Sequence, residues 1–278
     1  MLTQLVIWLN HVANALGAVL LSPVQWAPGW LSATLIAVVT GVLMLIVFKY
    51  TSNQPAIKRT RDQIKANMLA LSIFKDSLQV SLRCQARVLI EALRLVRHSL
   101  FPMALITVPM VLILGQMALW YQARPLAVGE ESIVSVHLTP GDAAAVDSIR
   151  LEESNAAAVV AGPVRVPRKH MVCWNVTPRT NGVHVLRFAI GGASFEKELV
   201  AGGDYRPVSL KRPAARLGDV LMHPRESPFA ADSVVQSIEV TYPERVSFTS
   251  GTNNWVIYWF IVSMTAAFAA RPFFKVNI

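Results

Sequence analysis

The first 48 residues carry no charged side chain, and the formal net charge of +9 is confined to residues 49–97 and 271–278. Residues 49–97 hold ten Lys or Arg against three acids, Asp62, Asp76 and Glu91, and the last eight residues add Arg271 and Lys275. Between them, Gln122 to Asn254 holds fourteen basic and fourteen acidic side chains and is neutral. Short Lys/Arg-rich loops stay on the cytoplasmic face of a membrane, whereas long domains cross largely regardless of charge. The pattern predicts an integral membrane protein, and the chain as a whole is read as one of a bacterial inner (cytoplasmic) membrane. Its N-terminus is expected outside, its C-terminus in the cytoplasm, and residues 122–251 in the periplasm or outside the cell.

Three apolar segments supply the crossings. Trp30 to Phe48 is nineteen residues without a charge, eleven of them Leu, Ile, Val or Phe, long enough at ~1.5 Å per residue to cross a core of ~30 Å with little tilt. Leu100 to Tyr121 is equally apolar, with kinks expected at Pro102 and Pro109 and interfacial anchors at Trp120 and Tyr121. Trp255 to Ala270 has sixteen residues and spans only with snorkelling at Arg271 or a locally thinned bilayer.

Residues 1–21 differ from these spans. Leu2, Leu5, Leu9, Val12, Ala13, Leu16 and Leu20 share one helical face, with Thr3, Asn10, Asn14 and Gly17 opposite, the pattern of a helix lying in the membrane interface. A cleaved signal peptide, whose positively charged start is missing here, and a fourth span are the competing readings. Pro23, Pro28 and Gly29 make 22–29 a turn into the first span. The expected divisions are 1–29 (interfacial helix and turn), 30–121 (two spans with a cytoplasmic helical hairpin at 50–98), 122–251 (external domain) and 252–278 (third span and tail).

In the hairpin, Ile57, Ile64, Met68 and Leu71 lie among Lys58, Arg59, Arg61 and Lys65, and a break follows near Lys75, Asp76 and Ser77. A second helix carrying Leu78, Leu82, Leu89, Leu93 and Val96 runs directly into the second span. Two helices joined by a short turn form an antiparallel, coiled-coil-like hairpin. Its basic residues are read either as a solvated loop held near anionic lipid or as a docking device for a ribosome, a nascent chain or a partner protein.

The external segment reads as all-β. Residues 132–138, 146–153, 158–166, 171–176, 183–190, 194–201 and 237–242 are short runs of β-rich composition separated by Gly, Pro and Asn. Seven strands in this length suit an immunoglobulin-like sandwich, with Trp174 in the inter-sheet core, a loop at 178–182 and a hairpin turn at Gly191-Gly192. Residues 203–235, with four prolines, are expected to be a long loop or partner-binding excursion.

Catalytic chemistry has no foothold in the sequence. His11, His98, His137, His170, His184 and His223 show no metal-ligand spacing, Cys84 and Cys173 fall on opposite sides of the membrane, and there is no phosphate-cradling Gly loop or Gly-x-Ser-x-Gly elbow. No catalytic, cofactor-binding or metal residue is nominated, no cofactor is expected, and the chain is not read as an enzyme. Nor is a direct nucleic-acid specificity expected. The cluster Arg165, Arg168, Lys169 and His170 is read as surface solvation or a contact for an anionic polymer.

The order of parts, together with the stretch TSNQPAIKRTRDQIKANMLALSIFKDS at 51–77, resembles the YidC-type insertase superfamily, whose smallest members include the insertase subunit of the ER membrane complex and three-span archaeal proteins. The resemblance covers about residues 1–121 and 252–274. It implies a polar groove, open to cytoplasm and lipid, into which a client's hydrophilic segment descends. Thr34, Thr40, Thr107, Gln116, Ser263 and Thr265 are the candidate groove residues, with ordinary helix packing as the competing reading. Lys58, Arg59, Arg61 and Lys65 are the candidate docking residues for client membrane proteins or a ribosome. Two departures stand out: no Arg or Lys lies within a span, and the external domain sits between the second and third spans. Two functions follow. One is an insertase or intramembrane chaperone. The other is a non-catalytic subunit of a larger membrane complex, whose sandwich docks on protein subunits or envelope polymers.

Overall fold

The computed structural model describes residues 2–20, 29–73, 78–141, 143–203, 205–245, 254–274 and 276. The elements run α1 (Leu2–Leu20), α2 (Gly29–Thr51), α3 (Gln54–Ile73), α4 (Leu78–Tyr121), β1 (Ser132–Leu138), α5 (Ala143–Ser148), β2 (Arg150–Leu151), β3 (Ala157–Val166), β4 (Met171–Pro178), β5 (Gly182–Ile190), β6 (Ala193–Ala201), β7 (Lys211–Arg212), α6 (Leu217–Met222), β8 (Val235–Val240) and α7 (Asn254–Phe274). Three helices are long and apolar enough to cross a membrane: α2, α4 from Gln79 onward, and α7. The break expected near Lys75–Ser77 and most of the turn expected at 22–29 lie outside the described residues. The chain forms two compact units, one from Met1–Ser32 with Val111–Val256, the other from Ala33–Met110 with Ile257–Ile278.

In the helical unit, α2 buries Ala33, Ala37, Thr40 and Leu45. With Gly41, the first two make a row of small residues at four-residue spacing, which lets helix backbones approach closely. At Gly41 the approach is extreme, since a Cβ built there would lie 2.2 Å from the carbonyl oxygen of Ser263 on α7. Asn53 caps α3 by accepting the amide of Ala56 at 3.1 Å, and Pro55 sits in the first turn, where its missing N–H costs nothing. α4 is one 44-residue helix that contains both Pro102 and Pro109.

Helices α3 and α4 bury Ile57, Thr60 and Cys84. The larger apolar side chains of α4 point the other way, with Leu82, Leu89, Ile90, Leu93 and Val96 all more than half exposed. Leu82, Leu89 and Val96 recur every seven residues and so share one face of the helix.

In the other unit the β segment forms a five-stranded sheet, β3-β4-β1-β8-β7, and a three-stranded sheet, β2-β5-β6. Every named strand pairing is antiparallel. Strict alternation on β4 turns Val172, Trp174 and Val176 inward. They share one core with Leu186, Phe188, Ile190 and Leu199 of the second sheet. Trp174 bridges the layers, its ring centroid 5.3 Å from that of Phe188. Gly191 and Gly192, both at positive φ, make the two-residue turn between β5 and β6, where such φ values suit the strand twist.

One expected strand forms only in part, and its first three residues are helical. Residues 146–153 contribute only Arg150 and Leu151 to a sheet, while Ala143–Ser148 forms α5. Val146 and Ile149 look β-prone singly, but a three-residue spacing brings Ala145, Val146 and Ile149 onto one buried helical face, and the alanines before them favour the helix. The excursion at 203–235 is largely irregular but contains β7, which pairs with β8, and the short helix α6.

Candidate functional site

The candidate groove residues divide between the two units. In the helical unit, Thr34 Oγ1 lies 2.5 Å from Tyr258 Oη and links α2 to α7. Thr40 and Ser263 are buried and donate to the carbonyls of Ile36 and Phe260 at 2.6 and 3.0 Å. Thr107 and Thr265 are exposed, each donating at 2.8 Å to the carbonyl four residues earlier. A hydroxyl satisfied by its own helix can face lipid or a neighbouring helix at little cost. The indole N–H of Trp259, buried on α7, has no partner among the described residues, a feature that the sequence search for polar span residues passed over.

Lys58, Arg59 and Lys65 are exposed on α3, and Arg61 is half-buried. Lys58, Arg61 and Lys65 recur at three- and four-residue spacing, so they form a cationic row on the helix flank beside the buried Ile57 and Thr60.

Gln116 belongs to the other unit and has long-range partners. Its Nε2 donates to Asn14 Oδ1 at 2.6 Å, and Asn14 Nδ2 donates to the carbonyl of Pro224 at 2.7 Å. One turn earlier on α1, buried Asn10 donates to the carbonyl of Val220 on α6 at 2.7 Å. The polar face of α1 is therefore its docked face, while Leu5, Trp8, Val12 and Leu16 are exposed. At Gly17 a Cβ would come within 2.6 Å of Gln116 Oε1, so any larger residue would have to displace that amide.

A cavity of about 380 Å³ opens beside this network, lined by Asn14, Gln116, Trp120, Glu198, Pro207 and Arg225. Arg225 grips Glu198 with Nε at 2.9 Å and Nη2 at 2.5 Å. The lining offers amides and a neutralised ion pair, suited to hydrogen-bonding a polar chain, and holds no nucleophile with a base beside it. Replacing Asn14 by leucine should free the tip of α1. Burying an unpaired Gln116 amide and Pro224 carbonyl costs about 1–3 kcal/mol. Amide hydrogen exchange should quicken across α1 and α6, and unchanged protection would refute the role of this network.

Beneath that cavity, buried Lys197 on β6 donates to Glu226 Oε1 at 2.5 Å and to the Ser209 carbonyl at 2.7 Å. Burial pushes the ammonium's pKa down against the opposing pull of Glu226. Glu226 Oε2 also accepts the Glu198 amide at 3.0 Å, so one carboxylate fastens the 203–235 excursion to the sheet. Among the described residues no group of three or more His, Cys, Asp or Glu is placed to hold a metal ion. No protein-family model matches the chain, and neither a curated protein nor a solved structure matches it.

Proposed function

We propose that this chain is an insertase-like integral membrane protein of the YidC type, which assists the insertion or folding of client membrane proteins from the cytoplasmic face of a bacterial inner membrane. In this reading the N-terminus and an immunoglobulin-like β domain lie outside, and the α3–α4 hairpin and the C-terminus lie in the cytoplasm. The observation that carries it is the outer face of α4, where Leu82, Leu89, Ile90, Leu93 and Val96 stand exposed among Arg83, Arg87, Arg94 and Arg97 on a helix that continues into an apolar span. An apolar stripe flanked by cations suits a transient grip on hydrophobic nascent segments near the membrane surface. The row Lys58, Arg59, Arg61 and Lys65 adds attraction for a ribosome or an acidic client flank.

Liposomes containing the full chain should protect the translocated tail of a short-tailed client from external protease well above empty liposomes. Replacing the four α3 cations by glutamine should lower the yield several-fold. Protection equal to that of empty liposomes refutes the insertase reading.

A second reading has its own observation. The edge strand β3 exposes Val159, Val160 and Val164, and an unpaired strand edge is a template for another chain. This favours a non-catalytic subunit docked through its β domain. Stoichiometric co-purification of a fixed partner set favours the subunit, and a variable client set favours the insertase.

A further inference from the structure

Where α2 ends and α3 begins, the helical unit holds a cavity of about 550 Å³. Thr51 and Asn53 line one side, and Arg94, Arg97, His98 and Phe101 of α4 line the other. No acid lines it. Glu91, one turn earlier on α4, holds Arg94 at 2.7 Å, and Arg97 has no ion-pair partner among the described residues. The spacing of Arg94, Arg97, His98 and Phe101 puts them on one helical face. Their donors therefore converge on one volume, which asks for an anion with several acceptor oxygens, the geometry at which guanidinium groups excel.

The polarity changes abruptly beyond this point. From Leu100 onward the helix is apolar, and Phe101, Leu105 and Val108, on the face that carries Arg94, Arg97 and His98, are exposed, Phe101 by 70 %. A free anion makes no use of that surface, whereas an amphiphile with a phosphate at one end and acyl chains at the other matches both halves. Basic pockets at the cytoplasmic ends of spans select anionic lipid heads for this reason.

We propose that this cavity binds the phosphate of an anionic phospholipid through Arg94, Arg97 and His98, with an acyl chain lying along Phe101, Leu105 and Val108, which continue the same helical face. The inference rests on reading α4 as a membrane span and is independent of any insertase activity.

The test uses the full chain in detergent, stripped of lipid and titrated with phosphatidylglycerol, phosphatidylcholine or inorganic phosphate while bound lipid is counted by native mass spectrometry. Phosphatidylglycerol should be retained in preference to phosphatidylcholine, with affinity falling about fivefold for each of Arg94→Gln and Arg97→Gln. Arg97→Lys should lose less. Arg83→Gln with Arg87→Gln, on the same helix but away from the cavity, should bind as the unaltered protein does. Equal retention of the two lipids, or equal losses in the two pairs of variants, overturns the site. Inorganic phosphate competing at the concentration that saturates the lipid overturns the assignment to a lipid. All four arginines belong to exposed positions, so each variant should keep the melting temperature of the lipid-free protein, which is measured alongside.

Discussion

Replacing Glu226 by alanine is expected to destabilise the β domain by about 3–5 kcal/mol, the cost of leaving one member of a buried ion pair alone. Lys197 is fully buried, and once the carboxylate is gone its Nζ keeps the Ser209 and Glu198 carbonyls and the Ser209 hydroxyl oxygen, none of them charged. Burial already depresses the pKa of this ammonium, so the variant relieves part of the penalty by releasing the proton, which limits the loss. The Glu198 amide and the Ser209 hydroxyl lose their acceptor as well. Denaturant unfolding of the full chain, followed by hydrogen exchange at the β6 amides, measures the effect. Lys197→Met combined with Glu226→Leu should recover at least half of it, because two apolar groups need no partner. A Glu226→Ala protein as stable as the unaltered one would mean that the pair contributes nothing.

The same residues show why parts of the molecule were legible in sequence and others were not. Signals that act locally came through. The uncharged runs become the three long apolar helices, and the β-rich runs at 132–138, 171–176 and 183–190 become β1, β4 and β5, with Trp174 between the sheets. At 146–149 the composition favoured a strand, but burial of Val146 and Ile149 at helical spacing prevailed, a tertiary override of a weak local preference.

Partnerships made over long separations were opaque. Asn10 and Asn14 read as the wet face of an amphipathic helix until their partners, Val220 and Pro224, are known, each 210 residues away. Gln116 could be picked out as a polar residue in an apolar run, but its partner Asn14 lies 102 positions earlier. Likewise Arg94 and Arg97 were legible only as charge and His98 only as a histidine without metal-ligand spacing, because their meeting with Thr51 and Asn53 depends on how the chain returns after α3.

Replacing Gly41 by leucine should be the most damaging change within the helical unit. Even alanine would place a methyl carbon 2.2 Å from the Ser263 carbonyl oxygen and 2.9 Å from its carbon, and backbone atoms cannot rotate away as a side chain can. α2 and α7 would have to separate, loosening the packing around Ala37, Thr40 and Ser263, all of them buried. Overpacking of a close-fitted interior costs about 1–3 kcal/mol, and leucine belongs at or beyond the upper end because it adds three further carbons at the same point. In the proposed membrane-spanning arrangement the hydrophobic effect would not hold the two helices together, so little would compensate for lost van der Waals contact. The full chain carrying Gly41→Leu should therefore melt well below the unaltered protein in detergent, Gly41→Ala should fall between them, and Gly115→Ala, where the nearest backbone atom is 3.2 Å away, should cost less than Gly41→Ala. Equal melting temperatures for Gly41→Leu and the unaltered protein would show that the α2–α7 contact is not maintained in detergent.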